Sequence, residues 1–184
     1  MKQESLPSEE QMKLVLWLSR IGMKEPSARA VLEQSRSIDE ALSMPEEKRL
    51  SSLMSGKLAA SALRSTDRIW QWCMDNDVAV ISQFDPRYPR NMLELDTAPL
   101  VLYVKGKLYG PKSVACIGTR EPTHFGAKAV SRITEMLAEY RWSIVSGLAT
   151  GIDSICHEAA LERGAHTVAV MAQGLDEVYP RANQ

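Results

Sequence analysis

SVACIGTR (Ser113–Arg120), SIVSGLATGID (Ser143–Asp153) and TVAVMAQGLDEVYP (Thr167–Pro180) each carry an apolar run into a turn of small residues. Between them, residues 125–140 and Ile152–Arg163 have helical spacing, and Val130, Ile133, Met136 and Leu137 are expected on one face of the first. Strand and helix in alternation predict a βαβαβ unit with parallel strands and right-handed crossovers. Val114–Ile117 has the near-continuous apolar character of a strand buried on both faces. The fold class is therefore α/β. In open α/β sheets, ligands bind where strands hand over to helices, because helix N-termini offer free N–H groups and a positive dipole end.

The turns are read as chemistry. Gly118 lets the backbone approach a ligand, Thr119 brings a hydroxyl, and Arg120 can grip a phosphate through two parallel N–H bonds. A structural role for the glycine, with a solvated Arg120, is the alternative. In the second turn, Ser146, Gly147 and Gly151 lead into a helix whose free N–H groups can hold another phosphate. Asp153 either caps that helix or meets a ligand. Asp153 and His157 share a helix face, which suits an internal hydrogen bond, a metal site or an acid–base pair. One His and one carboxylate fall short of a metal shell, so no metal is expected. GxGxxG, GxxxxGK[ST] and GxSxG are all missing, which argues against dinucleotide binding, a Walker-type site and a hydrolase.

Upstream, residues 1–76 suggest a small helical domain of the sterile-alpha-motif or helix-hairpin-helix type. Ser8 with Gln11 and Ser37 with Glu40 are capping-box patterns. Leu14, Val15, Leu18 and Ile21 recur at helical spacing until Gly22. Pro26 and Pro45 suit first-turn positions. Leu58, Ala62, Ile69 and Trp72 mark a long amphipathic helix over 57–75, with Trp70 and Trp72 expected in the core. Residues 77–111 read as a connector: strands at Val78–Ile81 and Leu100–Val104, a stiff Asp85-Pro86-Arg87-Tyr88-Pro89 turn, and a boundary at Gly110-Pro111. Residues 112–184 form the α/β domain, expected to be incomplete. Either the chain is a fragment or a partner covers the last edge strand.

Formal net charge is −1, and residues 112–184 hold seven Lys/Arg against eight Asp/Glu, so nucleic-acid affinity must come from a local patch. Cys73, Cys116 and Cys156 form no CxxC pair and read as reduced thiols of a cytoplasmic protein. The run Leu14–Leu18 is broken by Ser19 and Arg20, so neither a signal peptide nor a membrane span is expected.

These motifs together resemble the DNA-processing protein A (DprA/Smf) family. The resemblance rests on Gly118-Thr119-Arg120, Phe125-Gly126, Ser146-Gly147-Leu148-Ala149, Gly151-Ile152-Asp153, His157 and Gly174-Leu175-Asp176 through Tyr179-Pro180. Tyr88-Pro89 and Leu102–Gly106 upstream agree with it. It implies a Rossmann-like domain that binds single-stranded DNA, protects incoming strands and helps load the RecA recombinase in natural transformation, without enzymatic activity or a cofactor. Arg120 would lead the phosphate contacts, Thr119 would assist, and Ser146, Gly147 and Gly151 would line the adjacent pocket. A homodimer is a further expectation. Thr150 stands where the family usually has Arg. The alternatives are a LOG/SLOG-type sensor of a nucleotide derivative or a phosphoribohydrolase relative, although its PGGxGT turn is missing, and a helical adaptor.

Overall fold

The computed structural model describes residues 7–44, 56–108 and 112–183, with 56–58 as backbone alone. The expectations at Pro45, Gly110 and Pro111, and the burial of Leu58, fall outside the described residues. The chain divides into two compact units, Met1–Gly106 and Lys107–Gln184.

Among the described residues, the first unit contains four α-helices and a hairpin-like pair of strands: α1 Glu9–Arg20, α2 Ser27–Gln34, α3 Ile38–Ser43, α4 Gly56–Asp75, β1 Val78–Ser82 and β2 Val101–Lys105. At the start of α1 the capping box closes in both directions: Gln11 N donates to Ser8 Oγ (3.3 Å) and Ser8 N donates to Gln11 Oε1 (3.0 Å). At α3 only half of it forms. Glu40 N donates to Ser37 Oγ (3.2 Å), but the Glu40 carboxylate accepts from Arg36 N (2.6 Å). Pro26 precedes α2 as its N-cap, so the helix starts one residue later than a first-turn proline implies.

Leu14, Val15, Leu16, Trp17 and Leu18 of α1 are all buried, so the helix is enclosed nearly all round. Trp17 Nε1 donates to Ala59 O (3.2 Å), tying α1 to α4. Trp70 and Trp72, expected in the core, are only half-buried, and Lys13 Nζ lies 5.9 Å from the Trp70 ring centre. β1 and β2 pair antiparallel, Val78 opposite Lys105 and Ser82 opposite Val101, so the strands of the expected connector belong to this unit.

Among the described residues, the second unit holds a three-stranded parallel sheet in the order β3-β4-β5, with β3 Ser113–Ala115, β4 Ser143–Ser146 and β5 Thr167–Ala169. Val114 lies opposite Ile144, and Ile144 opposite Thr167. The crossover helices are α5 His124–Glu139, capped by Thr123 Oγ1 accepting from Gly126 N (3.1 Å), and α6 Ile152–Glu162. Ile144, Cys156 and Ala160 form the buried centre, packed by Val114, Cys116, Val130, Leu137 and Ile152.

Both helices thus lie on one face of the sheet. The other face carries Ile117 and Val170, 80% and 64% exposed, which corrects the expectation of strands buried on both sides. The face of α5 is also narrower than its spacing implies. Val130 and Leu137 pack inward with the buried Thr134, while Ile133 and Met136 lie on the flanks and stay exposed. Among the described residues, no helix is long and apolar enough to cross a membrane.

Candidate nucleic-acid interface

The loops that leave β3, β4 and β5 gather at the carboxyl ends of the parallel strands. Two of them touch. Ile152 N, at the start of α6, donates to Thr119 O (3.1 Å). Glycine is required on both sides of this approach. A Cβ on Gly118 would lie 2.5, 2.7 and 2.8 Å from three side-chain carbons of Ile152. A Cβ on Gly151 would run into the carbonyl oxygens of Thr119 and Arg120, and Gly151 has φ +82°. The residues named as Gly118, Thr119, Arg120 and Gly151 are therefore brought together as one locked pair of turns.

This lock presents the first turn outward. Gly118, Thr119 and Arg120 are exposed, and their backbone N–H groups have no partner among the described residues. Thr119 Oγ1 accepts from Glu121 N (3.2 Å), which leaves its hydroxyl proton available. Arg120 makes no ion pair among the described residues. Three unpaired amides, a hydroxyl and a guanidinium in sequence are donors that an anion can use.

The second turn is organised differently. Ser146 is buried and donates through Oγ to Cys116 O (2.6 Å), while its own carbonyl accepts from Val170 N (2.8 Å). Its hydroxyl joins the strand ends and does not reach the rim. Gly147 N and Ala149 N both donate to Asp153 Oδ2, at 3.1 and 3.3 Å. Asp153 is 6% exposed and caps the loop before α6, not the helix itself, whose N-cap is Gly151. The carboxylate thus takes the amides that an anion would otherwise use at Gly147.

His157 does not bond to Asp153. Its Nδ1 lies 2.6 Å from Thr167 Oγ1, which itself donates to Ile144 O (3.0 Å), so the histidine carries its proton on Nδ1 and donates to the threonine. Nε2 has no partner among the described residues. Burial pushes the His157 pKa down, against the opposing pull of Asp153, which keeps the ring neutral at pH 7. Cys116 is pushed up to about 11, first by burial and then by the adjacent Cys156, so it is a protonated core thiol and no nucleophile. Among the described residues, no three His, Cys, Asp or Glu side chains gather as a metal ion requires.

Sequence reasoning passed over Asn183. It sits in a 3-10 turn, Arg181–Asn183, and its Nδ2 donates to Leu148 O (2.9 Å) and Ser154 Oγ (2.7 Å). Ser154 Oγ in turn donates to Ala149 O (2.8 Å). No local signal marks this asparagine, because its partners lie about 30 positions earlier.

Residues 79–184, more than half of the chain, match the DNA recombination-mediator protein A family. The chain is 44% identical over 105 residues to DNA processing protein DprA of Streptococcus pneumoniae, covering 56% of this chain and 37% of that protein. It is 40% identical over 106 residues to Protein Smf of Synechocystis, covering 54% of this chain and 27% of that protein. The matched segment thus covers well under half the length of these relatives. The X-ray structure of DNA processing protein A from Streptococcus pneumoniae aligns with a TM-score of 0.67 at 30% identity, over 94% of this chain and 62% of that one. A Helicobacter pylori DNA processing protein A, solved for its single-stranded DNA binding mode, aligns with a TM-score of 0.50 at 31% identity, over 58% of this chain and 47% of that one. A parallel sheet with glycine turns at its carboxyl ends, matched in sequence and in structure, makes this chain a member of the DNA recombination-mediator protein A (DprA/Smf) family.

Proposed function

We propose that this chain binds an unpaired DNA strand through its sugar–phosphate backbone, with Arg120 as the leading contact. The observation that carries the reading is the outward turn Gly118-Thr119-Arg120, whose amides and guanidinium have no partner among the described residues. Thr119 supplies a further donor. Gly118 and Gly151 permit the approach of the two turns, and Ser146, Gly147, Asp153 and His157 support the second turn and its helix. With Thr150 at the rim, Arg120 is the cation of these two turns. The family relation supports a DNA-processing role; in this reading it is a non-catalytic role in the cytoplasm, in which the bound strand is protected and passed to the RecA recombinase during natural transformation. Homodimer formation belongs to the same reading.

The test is a titration with an oligo-dT strand. Micromolar or tighter binding at low salt is expected, weakening as salt rises. Arg120→Ala should weaken it about tenfold, the loss of one charge-assisted phosphate contact. Equal binding by wild type and variant would remove Arg120 from the site. Tight binding of a mononucleotide with no affinity for the strand would replace this reading by that of a nucleotide sensor.

A further inference from the structure

The peptide between Leu148 and Ala149 is held at both ends. Its N–H donates to Asp153 Oδ2 (3.3 Å), and its C=O accepts from Asn183 Nδ2 (2.9 Å). Leu148 stands at φ +60°, a left-handed conformation that a leucine adopts only when its surroundings impose it. A flip of this peptide, which changes the ψ of Leu148 and the φ of Ala149, would break both bonds and leave the leucine at its positive φ. Asp153 holds only the N–H side of the peptide, through an oxygen that it shares with Gly147 N (3.1 Å). The second hold comes from residue 183. Asn183 also meets Ser154 Oγ, which bonds Ala149 O, so the amide closes a ring of hydrogen bonds over the loop. Directly after this loop comes Gly151, whose close approach to the carbonyls of Thr119 and Arg120 sets the first turn.

We propose that Asn183 is a positioning residue for the DNA-binding rim: it latches the Leu148–Ala149 peptide and through Gly151 fixes the turn that carries Arg120. The proposal rests on the reading of Arg120 as a phosphate contact. It assigns Asn183 no contact with the strand.

The variants are Asn183→Leu, which keeps the branched shape and removes both donors, and Asn183→Ala. Amide resonances of the full chain are compared by NMR, and oligo-dT affinity is measured across a salt series. Amide shifts are expected at Ala149, Thr150, Gly151, Thr119 and Arg120, with α1 unchanged. Affinity should fall about tenfold while the slope of log K against log salt stays at its wild-type value, because no phosphate contact is lost. Arg120→Ala, in contrast, should lower that slope by about one. Unmoved amides at Gly151 and Thr119 would overturn the latch. A loss of slope like that of Arg120→Ala would also overturn it, by making Asn183 a direct contact. So would shifted amides with wild-type affinity. If the wild-type chain binds no strand, the proposed function falls and the amide shifts alone decide the latch.

Discussion

A single added methyl group separates two roles of glycine in the second unit. Gly151 and Gly164 both have positive φ, +82° and +63°, so alanine is strained at either. Only at Gly151 does a Cβ also collide with backbone, the carbonyls of Thr119 and Arg120; at Gly164 it meets nothing within 4 Å. Gly164→Ala should therefore cost about 1 kcal/mol of stability and leave oligonucleotide binding intact. Gly151→Ala should cost roughly 2–3 kcal/mol and weaken binding as well, because the two turns must separate. Denaturant unfolding and the oligo-dT titration read the two effects independently. Equal binding by the two variants would mean that the approach of the turns has no part in the site. The glycines themselves were plain in the sequence. Their reason was not, since Gly118 meets Ile152 and Gly151 meets Arg120 only once the strands lie side by side.

At the scale of elements, the Asp85–Pro89 turn between β1 and β2 depends on one buried carboxylate. Asp85 accepts from Arg87 N (2.8 Å) and Arg87 Nη2 (2.7 Å), while Tyr88 OH donates to Pro99 O (2.6 Å) to close the turn onto the strand that follows. Burial alone would raise the Asp85 pKa, but the donors of Arg87 more than reverse it and the pKa is lowered. A carboxyl whose folded pKa lies below its unfolded value of about 3.9 stabilises the protein above that value. That stability is lost as pH falls through the lower folded pKa. Asp85→Asn should cost about 1–2 kcal/mol at neutral pH, discounted for the half-exposed guanidinium, and the deficit should close below about pH 4. Parallel stability curves for wild type and variant across this range would refute the assignment. Such local devices were legible: two prolines and an aspartate announce the turn, and serine with glutamine or glutamate three residues on announces a helix start. The pairing of β1 with β2 was not, because both strands read only as short apolar runs. Nor was the half-formed box at α3, where Arg36 N takes the carboxylate meant for the cap.

Over the whole molecule, the two units bury their apolar residues unequally. Leu14, Leu16, Trp17 and Leu18 in the first are 0% exposed, whereas the second has its fully buried centre in Ile144, Cys156 and Ala160, with Ile117 and Val170 bare on the far face of the sheet. The sequence hid this difference. An apolar strand reads the same whether both faces or one is covered, and only the placement of α5 and α6 on a single face decides it. Local opening energies follow buried apolar contact, so native-state hydrogen exchange should divide the chain at Gly106–Lys107. Amides of α1 and β1 should exchange last, and those of α5, α6 and the parallel sheet on the order of tenfold faster or more. Saturating oligo-dT should slow the second set alone, because a ligand raises the opening energy only of the unit that holds it. Uniform protection along the chain in the free protein would mean that the second unit is supported by contacts other than its own core, and protection gained first in α1 would move the strand away from the glycine turns.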